Sequence, residues 1–132
     1  MNVLCVCVFL QTLAIINYNK YGFGKNFQKK DFGSKDLGID LVAKTDVGDY
    51  WAIQCKCYDE KTVISKEDVD SFLTTSSRTF IVTYTFQTTV FRERIWISTT
   101  NHWGVNAEKS IQNQNPKVTR IAWLNWKLRR FL

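Results

Sequence analysis

Hydrophobic and polar residues divide this chain into a few sharply different stretches. Residues 1–16 (MNVLCVCVFLQTLAII) are almost wholly apolar, and residues 17–38 are polar and hold four of the six glycines. Residues 39–44 (IDLVAK) and 50–57 (YWAIQCKC) then return to β-branched and aromatic side chains. The last two stretches predict strands, and the turn-forming Asp46-Val47-Gly48-Asp49 between them predicts a hairpin. A three-residue loop, Asp46 to Gly48 with Gly48 in the left-handed conformation, pairs Thr45 with Asp49.

Side chains alternate along a strand, so that register decides which residues share a face. It sets Ile39 opposite Cys55, Leu41 opposite Ile53 and Ala43 opposite Trp51, an apolar face expected to be the core. On the other face Asp40 stands opposite Gln54, with Lys56 two residues on and Val42 opposite Ala52. A loop of even length would separate Asp40 from Gln54 and Lys56.

Further along, Ser65 is a helix N-cap with Asp68 three residues later, and Val69, Phe72 and Leu73 follow at helical spacing to about Ser77. Glu67, Asp68 and Asp70 are expected to be solvated first-turn acids. A strand at residues 96–98, a helix at 105–113 and a last strand at 117–124 complete the pattern. Residues 80–91 (FIVTYTFQTTVF) are apolar enough to add a strand.

The chain has 132 residues, 45% of them hydrophobic, with neither repeats nor linkers and a single proline. Such a length suits one domain spanning residues 1–132. The apolar N-terminus lacks a basic flank and a small-residue cleavage site, and it is shorter than the roughly 20 residues a spanning helix needs. It is expected to be a buried first element of a cytoplasmic protein without a membrane partner. Eighteen Lys and Arg against twelve Asp and Glu, net +6, favour a polyanionic partner. Lys20, Lys25, Lys29, Lys30 and Lys35 concentrate that charge in the expected basic loop of residues 17–38. The two C-x-C pairs, Cys5 with Cys7 and Cys55 with Cys57, are spaced too closely for a usual zinc knuckle. Reduced, buried thiols are expected, with zinc and a disulfide as the alternatives.

The acid, amide and lysine of the hairpin suit phosphodiester hydrolysis. Asp40 offers an anionic oxygen to Mg²⁺, Gln54 a neutral carbonyl, and the backbone carbonyl of Cys55 a third oxygen, with Mn²⁺ as a substitute. The ammonium of Lys56 would position the attacking water or offset developing negative charge. The plainer reading is a hairpin whose polar face meets solvent.

The run D-L-G-I-D-L-V-A at residues 36–43, followed by W-A-I-Q-C-K at residues 51–56, resembles the PD-(D/E)XK nuclease superfamily in its Mrr-like form, where glutamine replaces the middle acid. More narrowly, G-I-D-L-V-A, W-A-I-Q-C-K, D-S-F-L at residues 70–73, I-S-T-T at residues 97–100 and W-G-V-N-A-E at residues 103–108 resemble the N-terminal nuclease domain of single-polypeptide, helicase-like restriction enzymes. The resemblance covers about residues 35–121. It implies an α/β, restriction-endonuclease-like mixed central sheet flanked by helices, with a catalytic β-hairpin. It also implies DNA as substrate, with Asp40 and Gln54 as metal ligands and Lys56 as catalytic lysine. An ATP-dependent helicase or translocase and a methyltransferase would lie in the same or a neighbouring polypeptide, this chain being a fragment of such an enzyme.

The sequence departs from that pattern in residues 80–91, which are more apolar and strand-like than the pattern there, in its C-terminal WLNWKLRRFL, and before the hairpin. Many superfamily members carry a glutamate on a helix before the hairpin, whereas the first glutamate here is Glu60. Asp31 or Asp36 could substitute only with a different geometry. A catalytically degenerate nucleic-acid-binding domain, or a truncated relic, is therefore the alternative to a DNA endonuclease. Candidate nucleic-acid contacts are Lys35, Thr100 and His102 at the junction before the second helix, and Arg129 and Arg130 in the basic tail.

Overall fold

The computed structural model describes residues 27–28, 39–45, 47–81 and 86–122. They form β1 (Phe27–Gln28), β2 (Leu41–Lys44), β3 (Tyr50–Lys56), α1 (Lys66–Ser76), β4 (Phe80–Ile81), β5 (Thr88–Thr89), β6 (Phe91–Ser98), α2 (Val105–Gln112) and β7 (Val118–Ala122). Five of the strands make one mixed sheet in the order β1-β2-β3-β6-β7. The pairs β1–β2 and β2–β3 are antiparallel, and β3–β6 and β6–β7 are parallel. The expected mixed sheet flanked by helices is therefore present.

The hairpin has the register its loop dictates. Leu41 pairs with Ile53, Val42 with Ala52 and Ala43 with Trp51. Thr45 N–H donates to Asp49 O at 2.8 Å, and Gly48 sits at φ +92°, where a side chain would be strained. Asp49 N–H closes the turn on the Thr45 hydroxyl at 3.0 Å.

Parallel strands need crossover connections, and here each carries a helix: α1 between β3 and β6, α2 between β6 and β7. The central strands are buried on both faces, which corrects the expectation of a single core face. Ala43, Trp51, Ile53 and Cys55 are buried as expected, and so are Val42, Ala52 and Gln54 on the opposite side. Val42, Ala52 and Trp96 join Val69, Phe72 and Leu73 of α1 and Ala107 and Ile111 of α2 in one core cluster. The face that carries the acid, amide and lysine is thus the helix-covered face rather than an open polar surface.

Helix α1 begins where its sequence says it should. The Ser65 hydroxyl accepts from Asp68 N–H, and Asp68 Oδ2 accepts from Ser65 N–H at 3.0 Å, a complete capping box. The acids of its first turn are placed as expected, with Lys66 and Asp70 forming an exposed ion pair.

Three elements depart from expectation. Phe27–Gln28, within the stretch read as a basic loop, is a strand on the edge of β2. Residues 80–91 give a two-stranded antiparallel ribbon, β4 with β5, and the first residue of β6, with residues 82–85 outside those described. Phe80 there stacks on Phe91 at 4.6 Å between centroids and meets Tyr50 edge-on at 5.3 Å. The strand expected at residues 96–98 is eight residues long, starting at Phe91. The apolar segment at residues 1–16 lies outside the described residues. Among the described residues, no helix is long and apolar enough to cross a membrane.

Candidate active site

Two hydrogen bonds, one to either side of Gln54 in the chain, hold the acid against β3. Asp40 directly precedes β2, and its N–H donates at 3.1 Å to the carbonyl of Ile53, the residue already opposite Leu41, so the regular ladder ends at Leu41 and the expected pairs Asp40–Gln54 and Ile39–Cys55 are not part of it. Its Oδ2 accepts from the backbone N–H of Cys55 at 3.0 Å, a bond that fixes the carboxylate beside β3. Gln54 is 2% exposed, and its Oε1 has no hydrogen-bond donor. Burying an acceptor unpaired costs about 1–3 kcal/mol, and the indole Nε1 of Trp96, the strand partner of Gln54, is likewise buried without a partner. Lys56 ends β3 on the same face and is half-buried, while its carbonyl accepts from Thr99 N–H at 3.1 Å.

The residue between them, Cys55, contributes its backbone. Its free thiol is buried, and burial, reinforced by the charge of Asp40, pushes its pKa well above the usual thiol range. The sulfur is therefore a neutral thiol and a poor metal ligand. In an extended strand the N–H and C=O of one residue face the same edge, so a Cys55 N–H bonded to Asp40 aims its carbonyl toward the Asp40 side. Asp40, the Gln54 amide oxygen and the Cys55 carbonyl would make an all-oxygen donor set, the kind a hard divalent cation takes. Among the described residues no three His, Cys, Asp or Glu side chains gather as a metal cluster, here or elsewhere. Cys57 is disulfide-bonded, a departure from the expectation of reduced thiols. Strand β3 stops at Lys56, so strand alternation no longer ties Cys57 to the side that buries Cys55.

The connection after β6 is anchored from within. Thr99 donates through its hydroxyl to Tyr58 O at 2.7 Å and accepts from Tyr58 N–H at 2.6 Å. Thr100, expected as a nucleic-acid contact, is instead buried, its hydroxyl within 3.2 Å of both Glu60 O and Thr62 O and accepting from His102 N–H. That hydroxyl holds the loop together and is not offered to a ligand. His102 is exposed, and its carbonyl accepts from Ile64 N–H at 2.7 Å. Lys35, Arg129 and Arg130 lie outside the described residues.

Two arginines escaped the sequence reading. Arg94 is fully buried, and among the described residues it has no carboxylate partner. Its guanidinium donates to Ser76 Oγ, Leu73 O, Pro116 O and Gln114 Oε1, all at 2.8–2.9 Å, tying the end of α1 and the loop before β7 to β6. Burial lowers its pKa from the ordinary arginine value. Arg120, in β7, lies over the Trp103 ring and is paired with Glu108 of α2. Only their spatial neighbours distinguish these arginines, and sequence spacing does not encode those.

A mixed sheet crossed by two helices, with an acid, an amide and a lysine about one hairpin, defines the class: the restriction-endonuclease fold. The chain belongs to the restriction endonuclease family whose model, Mrr_cat_2, matches residues 20–127. No curated protein matches it. Two solved structures are similar in fold. One is the ATP-dependent type ISP restriction-modification enzyme LlaBIII bound to DNA, at TM-score 0.60 and 22% identity, covering 89% of this chain. The other is the MspJI restriction endonuclease in complex with a 27-mer oligonucleotide, at TM-score 0.51 and 17% identity, again over 89%. This chain spans 7% of the first and 25% of the second.

Proposed function

We propose that the chain is a DNA endonuclease domain of a restriction-type enzyme, hydrolysing phosphodiesters with Mg²⁺, or Mn²⁺ in its place. One observation carries the reading: a buried Gln54 Oε1 without a donor lies on the hairpin where Cys55 N–H anchors the Asp40 carboxylate. Asp40, Gln54 and the Cys55 carbonyl would hold the cation. A divalent cation, when bound, supplies a Lewis acid for the phosphate oxygen and lowers the pKa of a coordinated water. Asp40 contributes the anionic donor, oriented in advance by a backbone bond. Gln54 binds without adding a second negative charge, which keeps the site tolerant of an incoming phosphate. Lys56, two residues on, directs the attacking water or offsets charge building on the phosphate oxygens. The helix-side core beside Gln54 lowers the local dielectric and strengthens these interactions.

DNA as substrate is supported by family membership, by the net charge of +6, and by two structures of similar fold, one bound to DNA and the other in complex with an oligonucleotide. Because the chain spans a small part of either, we read it as one nuclease domain, residues 1–132, of a larger cytoplasmic restriction system. An ATP-dependent translocase and a methyltransferase would be its partners. The second reading, a degenerate DNA-binding domain, is favoured by the small acid count: the described metal donors include one carboxylate, Asp40. Nicking of supercoiled plasmid in Mg²⁺ or Mn²⁺, with Asp40→Ala, Gln54→Ala and Lys56→Ala beside the wild type, separates the two. Loss at positions 40 and 56 supports the nuclease, while salt-sensitive binding without any cutting supports the degenerate domain.

A further inference from the structure

The candidate site continues across the sheet. Strand pairing sets Gln54 beside Trp96 and Trp96 beside Arg120, and paired residues of parallel strands point to the same face. Neighbouring strands lie about 4.8 Å apart, so the Arg120 backbone stands roughly 10 Å from that of Gln54. The space between is filled by aromatic rings: Trp96 is fully buried and meets Trp103 at 5.7 Å between centroids. The Arg120 guanidinium lies 4.9 Å from the Trp103 centroid, so the ring supports it from one side.

Arg120 also lines an open cleft of about 480 Å³ with Ser98, Asn101, Trp103 and Glu108. Ser98 is the strand partner of Lys56, which places this cleft one strand away from the lysine. The volume falls in the range of small-ligand sites, enough for a nucleotide. Arg120 is the one cation among its described lining residues. Both its Nη atoms are taken by Glu108, one at 3.0 Å, yet the two side chains remain 34% and 33% exposed. The bidentate pair holds the guanidinium fork in one orientation, and the same planar fork binds a phosphate through two parallel bonds.

We infer that Arg120 positions a phosphate of the DNA strand beside the cleaved bond, and that Glu108 masks it until that phosphate displaces the carboxylate. The inference rests on the nuclease reading above. Arg120 acts on binding rather than on the reacting atoms, so its signature is in the salt dependence of affinity.

The test is binding of the full chain to a fluorescent DNA duplex in EDTA over a range of salt, with folding of each variant checked by thermal melting. Arg120→Gln should weaken binding equally on unrelated sequences and make the slope of log affinity against log salt shallower by about 0.9. Arg120→Lys, keeping the charge, should restore the slope. Glu108→Gln should bind more tightly than wild type, and in an Arg120→Gln background it should change nothing. A merely structural tie between α2 and β7 moves stability in both variants but gives no tighter binding. An unchanged slope in Arg120→Gln, or weaker binding in Glu108→Gln, would overturn the inference while leaving the nuclease reading intact. Should Arg120→Gln fail to fold, Glu108→Gln alone decides. A wild type that does not bind DNA would remove the nuclease reading, and this inference with it.

Discussion

The backbone N–H of Cys55 donates to Asp40 Oδ2 at 3.0 Å across fifteen residues of chain. That bond links register to chemistry, because it exists only if the hairpin pairs as it does. It orients the carboxylate before any ligand arrives and leaves the neighbouring Gln54 oxygen without a donor.

Replacing Gln54 by Glu puts a second carboxylate into a buried position next to Asp40. Without metal the like charges and the burial should destabilise the fold, and with Mg²⁺ the site should accommodate both. Thermal melting should therefore find Gln54→Glu below wild type in EDTA and recovering with Mg²⁺, by the stabilisation that ligand binding to the folded state confers. Equal melting with and without metal would show that Gln54 does not face a cation.

Arg94 should matter for folding and not directly for cleavage. Arg94→Leu leaves the Leu73 and Pro116 carbonyls, Ser76 and Gln114 without their donor, a loss on the order of 3–5 kcal/mol in urea unfolding. Arg94→Lys should recover only part of it, since one ammonium cannot reach four acceptors on separate elements.

The capping box of α1 gives a smaller and cleaner effect. Ser65→Ala removes the acceptor for Asp68 N–H and should cost about 1 kcal/mol, read as a lower denaturant midpoint at unchanged slope.

For Glu108, the hydrogen bond and charge of Arg120 outweigh burial and hold its carboxyl below the ordinary glutamate value. A depressed folded pKa means that the contribution is present above the unfolded value, about 4.3, and is lost as pH falls through the folded one. The stability difference between wild type and Glu108→Gln should thus be constant near neutrality and shrink below about pH 4. A difference that persists in acid would mean that packing, not charge, links α2 to β7.

Much of this was legible in the sequence, for local reasons. The register of β2 with β3 follows from one loop length and a glycine that tolerates positive φ, and the start of α1 follows from Ser65 and Asp68. What was not legible depends on distant partners. Nothing near Val42 or Ala52 says that two crossover helices cover their face; that follows from the parallel pairing of β3 with β6. Thr100 reads as a polar loop residue, and only the carbonyls of Glu60 and Thr62, forty positions away in the chain, bury its hydroxyl. Arg94 and Arg120 read alike, yet one is a buried strut and the other lines an open cleft.

The most direct measurement is plasmid nicking by the wild type beside Asp40→Asn, a variant of the same shape that can keep an oxygen for Cys55 N–H while removing the charge. In Mg²⁺ or Mn²⁺ the wild type should convert supercoiled to open-circular DNA, and Asp40→Asn should be slower by about 10²-fold or more, as for the loss of one electrostatic stabiliser. Equal cutting by the two proteins would contradict the assignment of Asp40, and with it the hairpin as the catalytic centre.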